Sequence, residues 1–178
     1  MEHFLLAIIP SEDIAINIRK LRTLIFKKFG LVSARSLPEI IPVAFTKEII
    51  GKEQFKNISI SSEMKSLEFI VTDTNDIYFK INNLDFTNTI REKISNSKSS
   101  GFMPLKTGFY IATAENETDR DYISTFLNVE QKKQLIWKKN NLELIKIETF
   151  KTVWWEDICW ETLWEQKFNL LSHFQNYS

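Results

Sequence analysis

The stretch Phe4-Leu5-Leu6-Ala7-Ile8-Ile9-Pro10-Ser11-Glu12-Asp13 passes from an unbroken apolar run to a helix start within a few residues. Six apolar residues closed by a proline read as a buried strand. The run falls well short of the about 20 residues a spanning helix needs, and it lacks the basic flank and cleavage site of a signal segment. Ser11 has the chemistry of an N-cap, and Glu12 and Asp13 suit the positive end of a helix dipole. Ile14, Ile18, Leu21 and Ile25 then recur at helical spacing, widened by Leu24 and Phe29, and Gly30 stands where a left-handed cap ends a helix. Arg19, Lys20, Arg22, Lys27 and Lys28 fall on the other faces or the last turn and read as a solvated basic face.

Downstream, short strands are expected over Glu39–Phe45, Phe55–Ile60, Leu67–Thr72 and Ile77–Ile81, with Thr74-Asn75-Asp76 as a turn. Phe86, Ile90 and Ile94 mark a second helix. The polar stretch Ser95-Asn96-Ser97-Lys98-Ser99-Ser100-Gly101 reads as a flexible junction between two lobes of one domain spanning 1–178. A strand over Phe109–Ala114 and a helix over Thr118–Leu127 follow, and Asn128–Asn140 is read as helical. Two long strands, Leu142–Phe150 and Ile158–Leu170, close the chain. In the last one Ile158, Trp160, Trp164, Phe168 and Leu170 share one face, the core side of an antiparallel sheet. Strand–helix–strand followed by further strands thus occurs twice. The fold class expected is α+β: a duplicated antiparallel-sheet fold in two lobes, with helices on the outer faces and a cleft between.

With 43% hydrophobic residues in 178, the chain has enough apolar material for a proper core. Its 23 basic and 23 acidic residues cancel, so no global field steers it to nucleic acid or to an anionic membrane. The single cysteine, Cys159, excludes an intramolecular disulfide, reads as a small buried hydrophobe and fits a reducing, cytoplasmic setting. The two histidines, His3 and His173, lie near opposite termini with no metal-ligand spacing and read as incidental. No phosphate-binding glycine loop is present, and nothing calls for a metal or an organic cofactor. Trp154 and Trp155, beside Glu156-Asp157 at a hairpin tip, are a candidate contact surface for a protein partner.

The opening strand and helix, the segment Arg35-Ser36-Leu37-Pro38-Glu39-Ile40-Ile41-Pro42-Val43-Ala44-Phe45, the later Phe102-x-Pro104 and the Trp-rich closing hairpin together resemble the two-histidine (2H) phosphoesterase superfamily. Within it they look most like the bacterial 2′-5′ RNA ligase-like proteins. The family's first motif has the form Pro-His-x-Thr-Leu with a phenylalanine following. Its two His-x-Thr/Ser pairs face each other across the cleft, one histidine taking a proton and the other giving one, while the hydroxyls hold phosphate oxygens. Histidine suits both roles because its pKa lies near neutrality.

Carried onto this chain, the first histidine position falls on Glu39 and the first hydroxyl position on Ile41. The second motif has two registers: Leu105 with Thr107, or Gly108 with Tyr110, the latter preferred because Phe109-Tyr110-Ile111-Ala112 reads as the better strand. Neither register has a histidine. Each general acid or base is worth roughly 10²–10⁴-fold, so the resemblance implies a degenerate active site.

Three readings follow. One is an inactive 2H-like protein whose cleft, with Glu39, Ile41, Thr107 and Tyr110 as site candidates, binds a nucleotide, RNA end or other small ligand. Another is an enzyme of altered chemistry with Glu39 as general acid/base and Tyr110 as partner. The third is an interaction module with a filled cleft, using Trp154 and Trp155.

Overall fold

The computed structural model describes residues 2–56, 58, 64–81, 85–96, 103–104, 108–130, 135–137, 140–149 and 158–168. Strand β1 (Glu2–Pro10) leads into helix α1 (Glu12–Phe29), as the opening run requires. Ser11 is the N-cap in an extended conformation, although its hydroxyl makes no capping bond. Gly30 closes the helix at φ 73°, where its N–H reaches the carbonyl of Phe26. Ile14, Ile18, Leu21 and Ile25 are buried, as the periodicity predicts. Arg22 departs from the expected solvated face, being only 3% exposed.

After a 3-10 turn (Val32–Arg35) come β2 (Ile41–Thr46), a second 3-10 turn (Lys52–Phe55), β3 (Met64–Val71), β4 (Asp76–Ile81) and α2 (Asp85–Asn96). Then follow β5 (Met103–Pro104), β6 (Gly108–Thr113), α3 (Glu117–Glu130), β7 (Leu135–Trp137), β8 (Asn140–Glu148) and β9 (Cys159–Lys167). The strands form two antiparallel sheets, ordered β5-β2-β1-β8-β9 and β6-β4-β3-β7. The chain crosses from one sheet to the other between β2 and β3, β4 and β5, β5 and β6, and β7 and β8. The expected junction at 95–101 lies within one of these crossings, with residues 97–101 outside those described.

The main core joins both sheets to the helices. Leu6, Ile8, Ile41 and Leu144 of the first sheet and Phe79, Phe109 and Ile111 of the second belong to one buried cluster with α1, α2 and α3. Phe69 and Phe79 stack at 4.5 Å across β3 and β4. The opposite face of the first sheet carries a smaller cluster of Leu5, Ala7, Ile40, Ile145 and Ile147. It is this second face that forms the floor of the cleft.

Several expectations are corrected. Phe55 ends a 3-10 turn rather than opening a strand, because its ring is buried against Trp164, 5.8 Å away. Within 128–140 the helix ends at Glu130, and Leu135–Trp137 pairs with β3, an edge-completing contact that local periodicity does not reveal. In β9 a register shift opposite Leu144/Ile145 puts Trp160 and Trp164 on opposite faces. Trp164 packs on the core and donates to the carbonyl of Ile50 at 2.7 Å, while Trp160 is 46% exposed. Cys159, expected to be buried, is exposed on this outer strand. Among the described residues, no helix is long and apolar enough to cross a membrane.

Candidate functional site

Between the two sheets lies a cleft of about 410 Å³. The first sheet contributes His3 and Leu5 from β1, Pro42 and Phe45 from β2, and Ile147 from β8; the second contributes Asp76 and Tyr78 from β4 and Tyr110 from β6. Leu37, Thr149 and Ile158 complete the lining.

Two bulges decide which residues reach it. In β2 the register jumps from Leu6↔Ala44 to Ala7↔Pro42, so Val43 is the extra residue. Pro42 and Phe45 therefore face the cleft beside Ala7 and Leu5, whereas Ile41, Val43 and Ala44 turn into the core and are fully buried. The proline is tolerated in an interior strand because it sits at the bulge. In the second sheet Tyr78 pairs with Tyr110 and Ile77 with Ala112, leaving Ile111 as the extra residue. Asp76 with Thr113, and Tyr78 with Tyr110, then share the cleft side.

That side holds a connected polar set. The Thr113 hydroxyl donates to Asp76 Oδ1 at 2.5 Å, and Thr74 donates to Asp76 Oδ2 at 2.7 Å. Tyr110 and Thr113 hydroxyls are 2.8 Å apart; the Thr113 proton is committed to Asp76, which makes Tyr110 the donor. Ser33 clamps the same point, donating to the Thr113 carbonyl and accepting from its N–H, both at 3.0 Å. Burial pushes the Tyr110 phenol well above its usual range, and it does the same to Tyr78, where the Asp76 charge adds to the effect. Both phenols are neutral donors at physiological pH. Across the cleft the His3 ring meets Phe45 edge-on at 6.1 Å.

The sequence-based candidates separate. Tyr110 lines the cleft, 4% exposed. Glu39 does not: it lies before β2, gripped by Arg19 through Nε at 3.1 Å and Nη2 at 2.8 Å, with buried Arg22 3.9 Å away. It borders a separate depression, with Glu143 and Trp160. Glu39 and Tyr110 are thus not brought together, and Ile41 points into the core. Gly108, the preferred second histidine position, is pressed against β4, where an added Cβ would stand 2.7 Å from the Phe79 carbonyl oxygen. Leu105, Thr107, Trp154, Trp155 and His173 lie outside the described residues.

Sequence reasoning missed His3, Asp76 and Tyr78. The period-two pattern of Asp76, Tyr78 and Lys80 in β4 was the available signal for the last two. His3 had only its place on the odd-numbered face of β1. Among the described residues, no group of three or more His, Cys, Asp or Glu side chains is arranged to hold a metal.

Solved structures share this fold. E. coli LigT complexed with 3′-AMP is 10% identical, with 94% of this chain and 98% of that one covered and a TM-score of 0.52. A phosphoesterase superposes at 10% identity over 94% and 99%, with a TM-score of 0.53. The fold is that of LigT. LigT in its apo form agrees at 12% identity over 94% and 97%, with a TM-score of 0.52. No protein-family model and no curated protein sequence matches the chain. The cleft here carries a proline and a phenylalanine on its β2 wall and a carboxylate–tyrosine set on its β4–β6 wall.

Proposed function

We propose that the protein is a binding protein built on the 2H phosphoesterase frame. Its inter-sheet cleft holds a nucleotide, RNA end or other small ligand without phosphodiester chemistry. The observation that carries this reading is the cleft itself: about 410 Å³, within the range of small-molecule sites, and walled by aromatic and apolar side chains with a few convergent polar groups. The bound 3′-AMP in LigT, a protein of the same fold, supports an occupant of nucleotide size. The inactive reading is favoured over altered chemistry because the proposed acid, Glu39, is neutralised by Arg19 outside the cleft and the proposed partner, Tyr110, has its proton directed at Thr113.

Two measurements test this. Titration with 3′-AMP and with adenosine, followed at the backbone amides of Tyr78 and Tyr110, is expected to show saturable shifts. Incubation with a 2′,3′-cyclic nucleotide is expected to give no hydrolysis above background, and turnover at ordinary enzyme concentrations would overturn the reading.

A further inference from the structure

A nucleotide or RNA end presents two unlike parts, an anionic phosphate and a planar base edge with N–H donors. The cleft wall discriminates between them. Among the described lining residues the one acidic group is Asp76, the one basic side chain is His3, and none is a lysine or arginine. Both Asp76 oxygens are held in place, Oδ1 by Thr113 and Oδ2 by Thr74, and the Asp76 N–H is tied to Thr72 Oγ1 at 3.1 Å. A carboxylate oxygen accepts more than one hydrogen bond, so each oxygen keeps acceptor capacity. The nearest buried cation, Arg22, directs Nε and Nη1 to the carbonyls of Ala34 and Pro38, at 2.7 and 3.0 Å, and its Nη2 is enclosed by protein. The surrounding surface suits a flat body: Tyr78 and Tyr110 meet edge to face at 5.7 Å, with Phe45 on the facing wall.

We infer that the cleft selects a planar, uncharged or cationic ligand whose N–H-bearing edge, an amidine or the amino edge of a base, is received by Asp76, while an anionic phosphate is disfavoured there. This rests on the ligand-binding reading above and reverses the charge preference of a phosphate site. A pre-oriented carboxylate in a partly desolvated cleft gains strong charge-assisted hydrogen bonds from such an edge and repels an anion.

The test is an NMR titration with benzamidine, benzyl alcohol and phenyl phosphate, read at the amides of Asp76, Tyr78 and Tyr110. Benzamidine is expected to bind at least tenfold more tightly than benzyl alcohol, phenyl phosphate not to saturate, and Asp76→Asn to remove the benzamidine advantage. Should Asp76→Asn fail to fold, the order of the three probes on the wild-type protein decides. Phenyl phosphate binding as well as benzamidine, or an advantage that survives in Asp76→Asn, overturns the inference while leaving the cleft a ligand site. The same holds if only 3′-AMP shifts these amides. If neither the probes, 3′-AMP nor adenosine shifts them, the binding reading itself falls.

Discussion

The two walls of the cleft differ in kind. The first-sheet wall offers Pro42 and Phe45 of β2, which can do no acid–base or anion-binding chemistry, beside His3 of β1, and the bulge in β2 turns Ile41, Val43 and Ala44 into the core. The β4–β6 wall offers Asp76 and Tyr110, fixed by Thr74, Thr113 and Ser33 into one hydrogen-bonded set, with the Tyr78 ring against that of Tyr110. An apolar β2 side thus faces a polar β4–β6 side. A wall kept only for packing would not need a carboxylate whose two oxygens are both satisfied, because burying polar groups costs stability unless they are paired.

The largest expected effect concerns backbone approach on the polar wall. Gly108→Ala places a Cβ against the Phe79 carbonyl, a backbone atom that cannot move aside, and is expected to cost about 3 kcal/mol in urea unfolding. Gly108→His, which would restore a histidine in one motif register, is expected to leave the protein unfolded rather than active. A folded Gly108→His protein with measured turnover would erase the contrast between the walls.

Thr113→Val comes next. It removes the hydroxyl that joins Tyr110 to Asp76 with little change of shape, and leaves a buried phenol without that acceptor. A loss of about 1–3 kcal/mol is expected in thermal or urea unfolding. Alkaline pH probes the same wall. Tyr78 and Tyr110 have folded pKa values raised by burial, so the unfolded chain loses these protons first as pH rises past about 10. Their contribution is fully present below that pH and is lost progressively above it, toward the folded values. Tyrosinate absorbance and stability followed together should show delayed ionisation and falling stability, and Tyr78→Phe should soften the decline.

The smallest effect is expected at Glu39. Its partner Arg19 is well exposed, but Glu39 also stands 3.9 Å from buried Arg22, so Glu39→Gln should lower the melting temperature modestly. It should leave titrations of the cleft unchanged. A marked loss of cleft binding in Glu39→Gln would instead draw the β2 side into the site.

Much of the architecture is legible in the residues. The strand–helix opening, Gly30 as cap, the Phe86, Ile90 and Ile94 face and the two closing strands all follow from period and capping, which are local properties. Tyr110 is also legible, as a strand residue in one motif register. Glu39 precedes the strand and is held by Arg19; Ile41 is misplaced because a one-residue bulge at Val43, of which Pro42 is the one local sign, changes which side chains of β2 face the cleft. The same cause splits Trp160 from Trp164. Arg22 is read as solvated because helical periodicity cannot show that the chain after α1 folds back and covers it with the carbonyls of Ala34 and Pro38.

The sequence by itself thus determined the α+β alternation, the absence of any histidine between His3 and His173 and a composition sufficient for an aromatic core. Those depend on residue identity and on short-range spacing alone. Only the tertiary structure decided which faces meet across the cleft. It placed His3 in the cleft wall and removed Glu39 from it. It also joined Ser33, Asp76, Tyr110 and Thr113 into one network across 80 residues of chain. Contacts of that kind arise from strand register and sheet packing, and a bulge of one residue exchanges every side chain between core and cleft.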